Sequence, residues 1–430
     1  MKILIVSHRF YPSKTARAYR WDSISKYIVN QGHDVDVITC TDGNMHDSDR
    51  ELEQRLKVIR IQDISLKLKK VLIQGRTTKD YLKSEGSRSL KRYIMRAFIF
   101  IYEGIYKNII WPDIEIMWVL SVIINLKKLL NQKEYDAIIT VARPFSSHIV
   151  GHIIKRIFPH VIWIIDIGDP FSFDYIQNVN NTYLYNKLNA SYERHIFKLS
   201  NAVTVTNLDT KIKYIEALNL PRNTITVIGP MLSIDHKQLS VNAENSKKDI
   251  ISILFYGTLY NDIRNPEYAI ILFSKLREYC PEIDLRFNIY GNIYGCEYLF
   301  EKYNYDWINY YGYYDREKLV SIIQESDVLL NIGNITEYQL PSKIIEYAAT
   351  GLPIINIKYI SSDSSERFLA NYSSVMNLDS RLSIDKNILQ KVAHFINNAS
   401  RVETKDIAQI IQPYTLESIS NQYLKLLDKE

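Results

Sequence analysis

The sequence predicts an α/β protein built from two Rossmann-like βαβ domains. Short apolar runs typical of buried parallel strands alternate with helix-length segments along most of the chain. Loops with polar residues or glycine follow these strands, and open parallel sheets bind their ligands at that edge. The 430 residues are too many for one ordinary core, so more than one domain is expected.

The first domain is predicted over residues 1–230. Its first βαβ unit has a strand at 3–7, a helix from Arg20 to Gln31 that ends at Gly32, and a strand at 33–39. The later elements are strands at 135–141, 161–170 and 225–230, a strand and turn over 199–207, and helices from 143 to 157 and from 209 to 218. A polar stretch at 231–250, rich in Ser, Asn and Lys, is predicted to be a linker.

The second domain is predicted over residues 251–410. A strand that starts at Ile251 ends at Gly257. The elements that follow within it are strands at 285–290 and 328–331, and helices at 316–324 and 342–350. A last helix is predicted at 416–427, after this domain. This alternation is typical of a second parallel sheet covered by helices.

One stretch of the second domain combines a helix start, a helix stop and a buried strand. Ser342 suits the first helical positions, Gly351 suits the left-handed position after the helix, and 352–357 is predicted to be a strand. Free N–H groups at this helix start, together with Lys343, favour a bound phosphate. Glu346, about one turn further along, could accept two hydroxyls of a ribose. The alternative is an ordinary helix start of an α/β protein.

The composition excludes several classes of protein. Apolar residues make up 46% of the chain and charged residues 23%, as in globular proteins. Three widely spaced cysteines, Cys40, Cys280 and Cys296, form no C-x-x-C pair and indicate neither a disulfide framework nor a zinc site. No signal-peptide pattern opens the chain, and no apolar run reaches the ~18 to 20 residues of a membrane span. We expect a cytoplasmic protein without a metal or other cofactor.

A strongly basic segment lies within an insertion at about 65–130. Between residues 67 and 96 the chain has ten Lys or Arg against Asp80 and Glu85, and apolar and aromatic residues follow at helical spacing up to residue 105. We expect residues 67–105 to contact the inner membrane surface, through anionic lipids or a lipid-linked acceptor. The alternative is an insertion whose charges are solvated while its apolar face packs on the sheet. No nucleic-acid-binding module surrounds the segment.

The sequence PSKIIEYAATGLPII at residues 341–355 resembles the signature of the retaining family 4 glycosyltransferases, which use nucleotide sugars. YGTLY at 256–260 and RNP at 264–266 are similar to further motifs of that family. The resemblance implies the GT-B fold, in which two Rossmann-like domains face each other across a cleft. It also implies that the helix within residues 411–430 crosses back onto the first domain.

The resemblance assigns the donor-binding residues to the second domain. It implies that Glu346 holds the ribose of the donor and that Ser342 and Lys343 cradle its diphosphate. Arg264 would neutralise the diphosphate, since a planar guanidinium matches phosphate oxygens. Gly257 would allow the backbone to approach the donor closely.

Acceptor contacts are expected near the end of the first strand. The family has a proline-rich loop with glycines there, followed by an Arg. This chain keeps Pro12 but has no glycine between residues 13 and 16. The resemblance therefore places acceptor contacts on Ser13 and Arg20, together with Lys14. The alternative for Arg20 is a solvated helix face.

Two acids at a predicted strand end are candidate catalytic residues. The sequence WIIDIGDP at residues 163–170 is similar to a family segment that faces the reacting sugar, which implies catalytic roles for Asp166 and Asp169. Gly168 stands where the family subgroup has Arg. The alternative for Asp169 is a cap of the turn before Pro170.

Together these features predict a glycosyltransferase. It would move a sugar from a nucleotide-diphosphate sugar to a hydroxyl of a saccharide or lipid-linked saccharide, with retention and without a metal, in bacterial surface polysaccharide assembly such as O-antigen (lipopolysaccharide) or capsule. Two alternatives remain at this point, a sugar-nucleotide epimerase of the same fold and a non-catalytic nucleotide-sugar-binding partner subunit. Two departures keep the second alternative open: Tyr338, which stands where many family members have a Glu, and Gly168.

Overall fold

The computed structural model describes residues 1–13, 15–41, 55–63, 107–130, 134–174, 179–233, 250–314 and 318–428. Contacts between residues divide the chain into two compact units. The first comprises Met1–Ile228 with Ile419–Glu430, and the second comprises Gly229–Ser418. Residues 67–105, for which the sequence predicts a membrane contact, lie outside the described part of the chain.

The first unit contains a parallel sheet of seven strands in the order β3-β2-β1-β4-β5-β6-β7. The strands are β1 Lys2–Ser7, β2 Asp34–Thr41, β3 Leu56–Gln62, β4 Ala137–Val141, β5 Ile162–Asp166, β6 Ala202–Val205 and β7 Ile225–Val227. The helices are α1 Ala16–Asn30, α2 Lys107–Ile109, α3 Ile116–Leu130, α4 Ser146–Ile157, α5 Thr182–Leu199 and α6 Leu208–Leu218. All strand pairs are parallel, so the carboxyl ends of the strands meet at one edge of the sheet.

Helix α1 begins four residues before the predicted start at Arg20. Thr15 is its N-cap, and the Thr15 hydroxyl accepts a hydrogen bond from the N–H of Ala18 at 3.3 Å. The predicted stop is confirmed, since Gly32 follows the helix with a φ of +90°. The earlier start brings Arg17 into the first turn of the helix.

The second unit contains a parallel sheet of six strands in the order β12-β10-β8-β13-β14-β15, and a two-stranded sheet of β11 and β9. The strands are β8 Ile250–Tyr256, β9 Leu259–Tyr260, β10 Asp284–Tyr290, β11 Ile293–Tyr294, β12 Ile308–Gly312, β13 Val328–Ile332, β14 Ile354–Lys358 and β15 Val375–Asp379. The helices are α7 Glu267–Tyr279, α8 Glu297–Lys302, α9 Leu319–Gln324, α10 Lys343–Thr350, α11 Ser364–Phe368, α12 Lys386–Asn398 and α13 Thr404–Ile411. This sheet, like the first, is parallel throughout.

The six-stranded sheet is buried on both faces. Ile253 and Phe255 of β8 pack in one apolar cluster, whereas Leu254 and Tyr256 pack in the other. A side-chain period of two residues produces this division. A strand covered on both faces is expected to be apolar throughout, as the predicted strands are.

The predicted helix stop at Gly351 is confirmed. Helix α10 ends at Thr350, and Gly351 has a φ of +71°. An added Cβ at Gly351 would lie 2.5 Å from Cδ1 of Ile407 on α13, so the absence of a side chain there also permits close packing.

The last helix, α14 Leu416–Leu427, has the predicted bounds. Its residues from Ile419 onward belong to the first unit. Tyr27 of α1 donates a hydrogen bond to Asn421 at 3.2 Å, and Tyr423 is fully buried against Trp21 with ring centroids 4.9 Å apart. Among the described helices none is both long enough and apolar enough to cross a bilayer.

Candidate functional site

The predicted donor residues lie after strands of the second unit and at the start of α10. Gly257 follows β8 with a φ of +152° and donates its N–H to the carbonyl of Tyr290 at 2.9 Å. A Cβ on Gly291, the residue after β10, would lie 1.7 Å from the carbonyl oxygen of Gly257. Glycine is therefore required where these two loops meet.

Arg264 is held in place by two hydrogen bonds. Its Nη2 donates to Oδ1 of Asn334 at 2.8 Å, and its Nη1 donates to the carbonyl of Thr258 at 3.3 Å. Its buried Nε has no hydrogen-bond partner among the described residues. Burial lowers the pKa of Arg264, while the nearby Tyr347 and Tyr260 raise it. A phosphate oxygen would accept a hydrogen bond from the remaining N–H group and would balance the positive charge of Arg264.

The start of α10 offers further groups for an anion. Ser342 is exposed at the N-cap, and its side chain makes no capping hydrogen bond. The first N–H groups of the helix have no partner within the helix, and the helix dipole favours negative charge there. The ammonium of Lys343 lies 5.5 Å from the ring centroid of Tyr256, which restricts where it can reach.

Glu346 points away from bulk water. It is 4% exposed, and it accepts hydrogen bonds from Lys343 at 2.9 Å through Oε2 and from the Ser233 hydroxyl through Oε1. Both oxygens predicted to receive ribose hydroxyls are therefore already bonded. Because a carboxylate oxygen can accept two hydrogen bonds, a ribose hydroxyl could bond to this carboxylate beside Ser233 and Lys343 or in place of one of them.

Neighbouring residues that the sequence analysis missed complete this region. Asn334, two residues after β13, orients Arg264. Asp363 caps α11 by accepting from the N–H of Glu366 at 2.7 Å, and a Cβ on Gly333 would lie 2.5 Å from the Asp363 carboxylate. Their position after parallel strands is the sequence signal that could have found them.

A separate pocket of about 930 Å³ lies wholly within the first unit. Its walls come from loops after the carboxyl ends of β1, β4 and β5, from the segment before α3, and from the starts of α1 and α5. The residues lining it are Arg9, Thr15, Ala16, Arg17, Asn108, Asp113, Ile114, Glu115, Arg143, Pro144, Asp169, Val179, Asn180, Asn181, Thr182 and Tyr183. Charged and amide groups dominate this lining, which suits a ligand rich in hydroxyls.

Asp169, a predicted catalytic residue, lies in this pocket. Its side chain is 48% exposed, and its Oδ2 lies 3.7 Å from Nε of Arg143. Arg143 in turn pairs with the buried Asp174. Asp169 is therefore an accessible carboxylate beside a cation that is fixed in position.

Asp166, the other predicted catalytic residue, does not line the pocket. It is 1% exposed, and each of its oxygens accepts two hydrogen bonds. The four donors are Arg17 at 2.8 Å, Trp21 at 2.9 Å, Thr204 at 2.9 Å and Tyr423 at 2.7 Å. Burial alone would raise the pKa of Asp166, but Arg17, Arg20 and these hydrogen bonds hold it below its ordinary value. This geometry makes Asp166 a structural anion that positions Arg17.

Gly168 explains how Arg17 reaches this position. A Cβ on Gly168 would lie 2.2 Å from Nη2 of Arg17. The guanidinium of Arg17 therefore fills the space that a side chain at position 168 would need. Nη2 of Arg17 is buried without a hydrogen-bond partner among the described residues, at the wall of the pocket.

The residues expected to contact the acceptor are not in the pocket lining. Ser13 donates its backbone N–H to the carbonyl of Phe10 at 2.9 Å, and Lys14 lies outside the described residues. Arg20 is 5% exposed and donates to the Tyr423 hydroxyl at 3.2 Å. The alternative of a solvated helix face for Arg20 is therefore wrong, because α14 covers this part of α1.

Two acids that the sequence analysis missed lie in the same pocket. Asp113 accepts hydrogen bonds from the N–H and hydroxyl of Ser146, and burial raises its pKa. Burial and the adjacent Asp113 raise the pKa of Glu115 to about 7, although Arg9 opposes this rise. Glu115 can therefore exchange a proton near neutral pH. Among the described residues no three His, Cys, Asp or Glu side chains form a group that could hold a metal ion.

No family model matches the sequence, and no curated protein matches it. Solved structures do match it along nearly its whole length. TarM covers 100% of this chain and 99% of its own, with a TM-score of 0.63 and 12% identity. A glycosyltransferase from Rickettsia africae ESF-5 covers 99% and 97%, with a TM-score of 0.59 and 12% identity.

The lipopolysaccharide outer core galactosyltransferase WaaB, in its apo form, covers 99% of both chains, with a TM-score of 0.57 and 11% identity. At such identities the likeness establishes the fold. The two parallel-sheet α/β units and these neighbours confirm the predicted GT-B fold class.

Proposed function

We propose that this chain is a glycosyltransferase that moves a sugar from a nucleotide-diphosphate sugar to a hydroxyl of a saccharide acceptor. The observation that supports this most is the group formed by Arg264, Lys343 and the start of α10 in the second unit of a GT-B fold. Negative charge grows on the diphosphate as its bond to the sugar breaks. Arg264, which Asn334 and Thr258 hold in place, and the helix N–H groups stabilise that charge without reorganising, and the ammonium of Lys343, which pairs with Glu346 at 2.9 Å, adds to their effect.

The proposed reaction retains the configuration of the sugar. The acceptor oxygen forms its bond to the anomeric carbon on the face from which the diphosphate leaves. A departing phosphate oxygen is then the nearest base and takes the proton of the acceptor hydroxyl, so the step needs no metal. Configurations of donor and product, compared by NMR, test this point.

The names of similar solved structures support a role in bacterial surface polysaccharide assembly. WaaB is described as a lipopolysaccharide outer core galactosyltransferase. A mutant of Staphylococcus aureus TarM, which covers the whole chain at 12% identity with a TM-score of 0.58, was solved with fondaparinux, alpha-GlcNAc-glycerol and UDP. On the same basis we propose that the protein is cytoplasmic and that its acceptor is a saccharide or a lipid-linked saccharide. Contact between residues 67–105 and the inner membrane surface belongs to the same proposal.

A thermal-shift screen against UDP, GDP, dTDP and CMP tests the donor site. A ligand at one hundred times its Kd stabilises the native state by about 2.7 kcal/mol, so one nucleotide class should raise the unfolding midpoint. Glu346→Ala should abolish this rise, whereas Glu403→Ala, at an exposed carboxylate of the same unit, should keep it. No rise with any nucleotide in a folded sample would contradict the proposal. Conversion of the sugar nucleotide into an epimeric sugar without an acceptor would indicate the epimerase instead.

A further inference from the structure

Exposed apolar side chains border the polar pocket of the first unit. Tyr183 is 95% exposed, Leu184 57% and Leu188 45%, all in α5. Ile109 and Ile114, from the segment that precedes α3, are also exposed. We name these five residues the apolar rim. Ile114 and Tyr183 line the pocket as well, so the rim is continuous with the pocket.

Hydrogen bonds hold the two parts of the rim together. The hydroxyl of Tyr185 donates to the carbonyl of Ile109, and Asn180 donates to the carbonyl of Pro112 at 2.7 Å. Trp111 donates its indole N–H to Asn189 at 2.9 Å. The segment before α3 is thus fastened to the start of α5, and the apolar side chains are exposed by a fixed backbone.

A polar pocket with an apolar border matches an amphiphile. The guanidinium, carboxylate and amide groups of the pocket suit a polar head rich in hydroxyls. Exposure of these apolar side chains to water is unfavourable in free energy. Contact with acyl or prenyl chains would remove that unfavourable exposure. A soluble saccharide would use the pocket and leave the rim uncovered.

The charge of residues 67–96, which precede the rim in sequence, favours a lipid bilayer over a protein as the partner that covers the rim. The thirty-residue stretch from 67 to 96, which ends eleven positions before Lys107 in sequence, carries ten Lys or Arg against two acids. Such a density of positive charge is attracted to anionic lipid headgroups, by about 1 kcal/mol for each Lys or Arg near the surface. Protein segments that bind at a membrane surface usually combine apolar side chains with basic residues.

We propose that the apolar rim inserts into a lipid bilayer, so that the pocket receives the polar head of an acceptor whose apolar chain stays in the membrane. This assignment of the acceptor as a lipid-linked molecule rests on the proposed transferase function. The membrane contact of the rim does not depend on it.

Vesicle binding by the full chain tests the rim. The double variant Leu184→Ser with Leu188→Ser removes two rim side chains one helical turn apart. Its matched control is Leu208→Ser with Ile212→Ser, at exposed positions of α6 with the same spacing and similar exposure, 60% and 46%. Binding to vesicles of phosphatidylcholine, alone or mixed with phosphatidylglycerol, is measured by sedimentation. The rim variant should lower the partition coefficient about tenfold in both, and the control should leave it unchanged.

Two results would overturn the inference. One is absence of vesicle binding by the unaltered chain, or equal binding by the rim variant and the control. The other is a rim variant whose molecular mass in solution falls while its vesicle binding is kept, since the rim would then be an interface between copies of the chain. Stabilisation by a nucleotide, measured on the same samples, reports on the transferase function separately, so either idea can fail alone.

Discussion

Replacing Gly168 with Ala should displace Arg17 without disturbing the backbone. Gly168 is not among the glycines with positive φ, so the backbone there accepts a side chain. The added Cβ would lie 2.2 Å from Nη2 of Arg17, the far end of a flexible side chain, so the guanidinium moves away. The hydrogen bond of 2.8 Å from Arg17 to the buried Asp166 is then lost.

The size of this effect follows from the environment of Asp166. A hydrogen bond to a charged group contributes about 1.5 to 3 kcal/mol. Because Trp21, Thr204 and Tyr423 still donate to the carboxylate, we expect a loss near 2 kcal/mol in the free energy of unfolding. The pKa of Asp166 is held below its ordinary value of 3.8, so this stability is present above that pH and is lost as the pH falls through the lower folded value.

A double-mutant cycle with Arg17→Met identifies the cause. Urea unfolding is followed by tryptophan fluorescence, which reports mainly on the first unit because four of the five tryptophans lie in residues 1–228. If Gly168→Ala acts through Arg17, it should cost almost nothing in the Arg17→Met background. Additive losses would refute this reasoning, and so would a Gly168→Ala variant as stable as the unaltered chain.

Two further predictions concern one buried residue in each unit. Burial raises the pKa of Glu193 to about 7, although hydrogen bonds such as that from Tyr214 oppose the rise, so the folded state holds a proton between pH 4.5 and 7 that the unfolded state has lost. Glu193 should therefore contribute a fall in stability of about 3 kcal/mol as the pH rises through this window. In a pH series of urea unfolding Glu193→Gln should remove this share of the fall and leave the share of Glu115, whose pKa is also raised to about 7. Gly351→Ala should cost about 1 to 3 kcal/mol, since it combines a φ of +71° with a contact of 2.5 Å to Ile407. Part of that loss should be recovered in an Ile407→Val background, and equal losses in both backgrounds would show that φ alone matters.

Much of the fold could be predicted from patterns among residues that are close in sequence. The helix after Pro341 and its stop at Gly351 could be predicted because capping and left-handed backbone depend on adjacent residues. Most of the predicted strands agree with the structure within two residues because parallel strands covered on both faces are apolar throughout. The predicted start of α1 is too late because Thr15, five residues before the first predicted helical position, supplies the cap.

Long-range contacts account for what could not be predicted. The burial of Arg20 depends on Tyr423, which is 403 positions away in sequence. Arg17 was given no role because nothing near it in sequence indicates that it fills the space above Gly168. The sequence assigns no role to Asp113 and Glu115, because they fall in the insertion predicted at about 65–130, and their place in the pocket depends on contacts with residues distant in sequence.

The place of Tyr423 has a consequence for biosynthesis. Asp166 receives one of its four hydrogen bonds from a hydroxyl that is 257 positions later in the chain. At translation rates of about 5 to 20 residues per second, the ribosome completes Asp166 roughly 13 to 50 s before it makes that partner. During this interval the first unit exists without the tyrosine that covers Arg20 and Asp166. The nascent unit is therefore at its most vulnerable to proteases while the second unit is being synthesised.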